Sequence, residues 1–167
     1  NIEMNGGEHE ISSGNSELAF FIAKYDNNAN LIWAKTMSGN GTGTGNLISI
    51  DEKGDIYAVG TFSGTIQFET QSMTAASVEN TDNFLVKYAA DGSMAWARSL
   101  KGSKLDDINA MDVANHQVVI GGVIRSEDLA VDNAPGILMK TLDTTGTWNS
   151  MLIISFDTDG NYQWNYI

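Results

Sequence analysis

The chain has 167 residues, 42% of them hydrophobic, and its 21 acidic against 9 basic side chains give a formal charge of −12. One domain's length with that apolar content supports a core and excludes a disordered tail, while the charge repels phosphate backbones and anionic lipid surfaces and so argues against nucleic acid as a partner. With no cysteine there are no disulfides, thiolate metal sites or cysteine nucleophiles, and no run of about 18 apolar residues exists that could insert into a membrane.

In chain order, Ile2 and Met4 form a small apolar pair ahead of an alternating strand that starts at Phe20, reaches the aromatic Tyr25, enters a polar turn and leads to Trp33. Because the chain starts at Asn1 in the middle of this pattern, it is expected to begin inside a repeat, as a piece of a longer protein. A hairpin follows, with strands Leu47 to Asp51 and Ile56 to Phe62 around Glu52-Lys53-Gly54, where glycine suits a turn needing positive φ. After a second apolar pair, Ile66/Phe68, the strand from Phe84 to Tyr88 leads to Trp96. The cycle then recurs, with Ile108 to Asp112, a turn ending at Asn115, Gln117 to Gly121, the pair Leu129/Val131, and the strand from Leu152 through Phe156 to Trp164. Asp51 to Gly60 and Asp112 to Gly121 have the same separation, which makes Gly60 and Gly121 equivalent positions.

Self-similarity of this kind describes units whose apolar faces are buried only against neighbouring copies. The predicted fold is all-β, with β-propeller-like blades of four-stranded antiparallel sheet. Residues 1–39 form a partial blade, 40–102 a full one, and 103–167 a full one with a long insertion at 122–150. The four strands of a unit are called a, b, c and d. On strand c, Phe21, Ala23 and Tyr25 share one face and Phe20, Ile22 and Lys24 the other, so both faces are largely apolar and the strand is expected to be buried on both sides. The recurrent tryptophan on strand d is expected to fill the gap between adjacent blades.

The segment Ile50-Asp51-Glu52-Lys53-Gly54-Asp55-Ile56-Tyr57-Ala58-Val59-Gly60, with Lys24-Tyr25 through Trp33 and Lys87-Tyr88 through Trp96, resembles the bacterial SBBP-type β-propeller repeat over nearly the whole chain. The last copy departs from the pattern, with Ser155 in place of lysine and Asn165 in place of alanine. The resemblance implies a secreted or cell-surface bacterial protein and brings no catalytic residues.

Asp157-Thr158-Asp159-Gly160-Asn161 matches the opening of an oxygen-ligand calcium loop, with Asp157 and Asp159 as candidate ligands, but lacks the distal acid; a hairpin turn is the simpler reading. The glycine-rich run Gly39 to Gly45 misses the spacing of a phosphate-binding loop and precedes a strand, so it reads as a flexible link. His9 and His116 lie far from each other in sequence, and His116 adjoins a turn. The acid pairs Asp106-Asp107 and Glu8/Glu10 are candidates for acid–base hydrolysis, with solvated loop charge as the alternative. Trp148, in the segment that contains the sole proline, Pro135, is the candidate binding residue, because an aromatic side chain on a variable loop can stack on a sugar ring or anchor a protein.

Together these features predict a non-catalytic binding or scaffolding module for a protein or glycan ligand, with self-association through open blade edges. A polysaccharide hydrolase or lyase using loop carboxylates, and a calcium-stabilised adhesion module, are the alternatives.

Overall fold

A computed structural model describes residues 2–4, 7–9, 12–13, 18–77, 79–132 and 150–167, with 2–4 and 7–9 as backbone. The described residues are all-β and contain no helix. The strands are β1 (Ile2–Met4), β2 (Gly7–His9), β3 (Phe21–Tyr25), β4 (Leu31–Thr36), β5 (Ser38–Gly39), β6 (Thr42–Ile50), β7 (Ile56–Ser63), β8 (Thr65–Phe68), β9 (Gln71–Thr74) and β10 (Asp82–Tyr88). They continue with β11 (Met94–Lys101), β12 (Asp107–Ala114), β13 (Gln117–Ile124), β14 (Ala130–Val131), β15 (Ser150–Asp157) and β16 (Tyr162–Tyr166).

Two antiparallel meanders carry the expected a-b-c-d order. The middle sheet runs β6-β7-β10-β11, and the C-terminal sheet runs β12-β13-β15-β16. Among the described residues the first unit contributes c and d strands, β3 and β4. All three c–d pairs have a register shift at the same place, between Lys24 and Tyr25, Lys87 and Tyr88, and Ser155 and Phe156. This shared bulge sets each tryptophan opposite the residue before the aromatic, pairing Lys24 with Trp33, Lys87 with Trp96 and Ser155 with Trp164.

The middle sheet is covered on both faces. Leu85, Tyr57, Val59 and Trp96 point into one cluster with Val118, Ile154 and Phe156 of the C-terminal sheet. Phe84, Val86, Tyr88, Ile56 and Ala58 point into another with Phe20, Ile22 and Trp33 of the first pair. Every residue of β10 is buried, as expected of a strand sandwiched between sheets. β3 departs from that expectation: Phe20 and Ile22 are buried, but Phe21 and Tyr25 on its other face are exposed, because no described sheet lies beyond them.

The b-to-c connections strap neighbouring sheets together. β14 pairs with the end of β11 through Leu100–Val131, and β8 pairs with β5 just after the first d strand. These straps carry the apolar pairs anticipated from sequence, and Ile66, Phe68, Leu129 and Val131 are all buried.

Two expectations about glycine change. The run from Thr42 to Gly45 is no flexible link, because it is the paired start of β6 opposite Gly60 to Ser63. A Cβ at Gly43 would meet the Met37 sulfur at 2.6 Å, and one at Gly45 the Phe20 ring at 2.8 Å. The equivalence of Gly60 with Gly121 is shifted by one. Gly60 pairs with Phe84 and Gly122 pairs with Leu152, four residues before Tyr88 and Phe156 respectively. The a–b turns differ in length: the middle sheet spans Asp51 to Asp55, whereas the C-terminal sheet turns on Asn115 and His116 alone. Both residues of that two-residue turn have positive φ, 50° and 62°, the conformation of a tight type I′ hairpin.

A Cβ at Gly60 would lie 2.0 Å from the Thr44 carbonyl oxygen, and one at Gly122 would lie 1.9 Å from that of Asp107, whereas Gly121 meets nothing closer than 3.5 Å. Gly122→Ala is therefore expected to lower stability by about 2 kcal/mol in urea unfolding, and Gly121→Ala to change it by less than about 0.5 kcal/mol. The opposite ranking would restore Gly121 as the equivalent of Gly60.

Candidate functional site at the turn end of the sheets

Tyr25-Asp26, Tyr88-Ala89 and Phe156-Asp157 lead into the same turn, closed by N–H groups of residues 26, 89 and 157 donating to the carbonyls of 30, 93 and 161 at 2.8–2.9 Å. The fourth turn position is left-handed in each copy: Ala29 at 63°, Gly92 at 89° and Gly160 at 80°. The Asp157 Oδ1 accepts from the amides of Asp159 and Asn161 at 3.0 and 2.8 Å, and its Oδ2 accepts from the Asn161 and Gln163 side chains. Asp26 caps its turn in the same way. These hydrogen bonds hold the Asp26 carboxyl below its ordinary value; at Asp157 the same kind of bonds outweigh a burial effect that acts upward. The Asp157 oxygens thus serve the hairpin itself, while Asp159 is exposed. Among the described residues no three acids or histidines gather.

The second and third turns also receive the sheet before them. Trp33 Nε1 and Lys24 Nζ donate to the Ala90 carbonyl at 3.2 and 2.8 Å. One unit later, Trp96 Nε1 and Lys87 Nζ both donate to the Thr158 carbonyl at 3.0 Å. The indoles lie against the turn glycines, so that a Cβ at Gly92 would be 2.8 Å from Trp33 and one at Gly160 would be 2.7 Å from Trp96. Tyr88 packs on Trp33 with ring centroids 6.0 Å apart, and Phe156 joins the Trp96 cluster. Trp33 and Trp96 are 9% and 6% exposed, but Trp164 is 43% exposed, and no turn among the described residues covers it.

Lys87 is the most deeply held cation of this clasp. Its ammonium lies 2.9 Å from Asp55 Oδ2 and 5.1 Å from the centre of the Tyr57 ring, and the Tyr57 hydroxyl donates to Asp51 Oδ2 at 3.0 Å. Burial raises the Tyr57 phenol from 10.0 to about 12. Burial alone would lower Lys87, but the Tyr57 oxygen and the Asp55 carboxylate outweigh it and hold the ammonium above 10.5. Both folded-state values are raised, so their stabilisation is complete below pH 10 and is lost as pH rises through the folded values. Stability is expected to fall above pH 10, and Tyr57→Phe to flatten that fall while costing about 1 kcal/mol at neutral pH through its lost hydrogen bond. Identical alkaline slopes for the two proteins would refute the assignment.

Between the turn ends of the middle and C-terminal sheets lies a groove of about 190 Å³, lined by Asp51, Glu52, Lys53, Asn115, His116 and Thr158 among others. Glu52, Lys53 and His116 are exposed at its rim. Sequence reasoning placed His116 on a surface turn without its groove neighbours, which come from a hairpin more than sixty residues earlier.

The remaining candidates do not converge. Asp106 is buried, and its Oδ1 accepts from the amides of Arg125 and Ser126, while Asp107 pairs with Arg125 at 2.7 Å; both acids hold the b-to-c connection in place. Trp148, Pro135 and Glu10 lie outside the described residues, and Glu8 and His9 are described as backbone in β2. Among the described residues no helix is long and apolar enough to cross a membrane.

No family model matches the chain. The chain is similar to the Regulatory protein FlaEY of Caulobacter vibrioides, 27% identical over 152 residues, which is 90% of this chain and 15% of the length of that protein.

Proposed function

We propose that the chain is a run of β-propeller-like blades of the SBBP type from a secreted or surface-exposed bacterial protein, serving as a non-catalytic module that binds a protein or glycan ligand. The observation that carries this reading is the division of labour at the turn end. Asp51, Asp55 and Asp157 are committed to capping and ion pairing within the fold, while Glu52, Lys53 and His116 line a groove and are exposed. A rigid, twice-clasped scaffold with adaptable polar side chains at a loop groove suits recognition. With a net charge of −12, neutral glycans and basic protein surfaces are the favoured ligands.

Glycan arrays and binding assays with basic peptides test the reading. The unaltered chain is expected to retain a ligand, and the double variant Glu52→Ala/His116→Asn to bind it at least about tenfold more weakly at unchanged melting temperature, since Glu52 is exposed and asparagine accepts the left-handed backbone of position 116. Release of reducing sugar from a polysaccharide by the chain itself would overturn it.

A further inference from the structure

Among the described residues no a and b strands pair beside β3 and β4 as they do in the other two sheets, and three apolar side chains are left uncovered there. Val113 on strand a of the C-terminal sheet is 9% exposed and belongs to the buried cluster that also holds Tyr57 and Val59 of the middle sheet. Its equivalent in the middle sheet is Ile50, which pairs with Ile56 just as Val113 pairs with Val118, and Ile50 is 60% exposed. Ile48, the equivalent of Met111, is exposed beside it. Phe21 is 60% exposed, whereas its counterparts Phe84 and Leu152 are fully buried. Between them runs a groove lined by Phe20, Phe21, Ile22, Leu47, Ile48 and Ala58 along the unpaired edge of β3. β1 and β2 pair with each other in a separate sheet, and no strand among the described residues pairs with that edge.

We infer that the edge of β3, with the strip Ile48–Ile50, is the docking surface for an antiparallel a–b hairpin from a further repeat of the same kind. Its b strand pairs along β3 and carries a glycine opposite Phe21. That glycine follows from the two complete sheets, where Gly60 faces Phe84 and Gly122 faces Leu152 under a carbonyl of the bulged a strand. Main-chain pairing along an open edge supplies affinity, and the alternating apolar side chains supply register. A second copy of the chain is the less suitable occupant, because both of its a–b hairpins are already built into its own sheets.

The test is a fusion in which a copy of residues 40–64 precedes Asn1, so that it runs through Asn1 into Ile2 as Gly64 runs through Thr65 into Ile66. The fusion is expected to melt about 5 °C or more above the unfused chain and to slow amide exchange along β3 at least about tenfold. Ile50→Lys is expected to shift the melting temperature of the unfused chain by no more than about 1 °C, and to lower that of the fusion by about 5 °C or more, as Val113→Lys does in both. Gly60→Val in the added copy alone is expected to abolish the gain. An unchanged melting temperature and unchanged β3 exchange in the fusion would overturn the inference. So would equal effects of Ile50→Lys in both proteins, or a concentration-dependent dimer of the unfused chain that protects the β3 amides.

Discussion

Replacing Trp96 with alanine is expected to lower the unfolding free energy by about 3–5 kcal/mol, while the same change at Trp164 lowers it by less than about 1 kcal/mol. The two residues hold the same place in strand d, opposite Lys87 and Ser155. They differ in what covers them. Trp96 packs edge-on against Tyr57 at 6.0 Å, lies beneath the Arg98 guanidinium at 5.2 Å, and donates to Thr158 of the next sheet. Truncation removes this packing, opens a void against Gly160 and leaves the Thr158 carbonyl with Lys87 as its remaining side-chain donor. Trp164 has none of these covers and already meets solvent. Urea unfolding of both variants measures the difference, and comparable losses would show that strand position, rather than the sheet-to-sheet clasp, sets the contribution of the tryptophans.

Lys87→Met is expected to cost about 3 kcal/mol, at the low end of the range for breaking a buried ion pair because the Asp55 side chain keeps 16% of its exposure. Methionine fills similar volume, so the loss is electrostatic: Asp55 loses its cation and the Thr158 carbonyl loses a charged donor. Lys24→Met is the internal comparison. Lys24 donates to the Ala90 carbonyl in a half-buried setting without an a–b turn of its own sheet to supply an acid, and its replacement is expected to cost less than about 1 kcal/mol. Equal losses at the two lysines would remove the Asp55–Lys87–Tyr57 network as a stabilising feature. A cost at Lys87 that Asp55→Asn relieves in the double variant would support it, since the stranded carboxylate is then gone.

Much of the architecture was legible because its signals are local. Alternation along Phe84 to Tyr88, left-handed turn residues at Gly54 and Asn115, and an aromatic–tryptophan spacing repeated three times are each written within about ten residues. The strap pairs Ile66/Phe68 and Leu129/Val131 were likewise visible as recurring apolar couples. The clasp was only half visible. Lysine recurs nine residues before Trp33 and Trp96, and a cation recurring in an otherwise apolar strand signals that a fixed partner exists, yet that partner, the Thr158 carbonyl, lies 71 residues from Lys87. Equal spacing misled at Gly121, because five residues separate the paired Ile50 and Ile56 while four separate the equivalent pair Val113 and Val118, and the aspartates that anchored the count, Asp51 in the turn and Asp112 in the strand, hold different places.

By itself the sequence determined the all-β class, the order of strands in each unit and the turn chemistry, all of which depend on backbone preferences and side-chain periodicity a few residues long. Only the tertiary structure decided which faces are covered. Val113 and Ile50 share a place in the repeat, as do Trp96 and Trp164, and one of each pair is buried while the other meets water. Burial belongs to the neighbouring sheet that lies over a residue, and no local pattern encodes whether that neighbour is present.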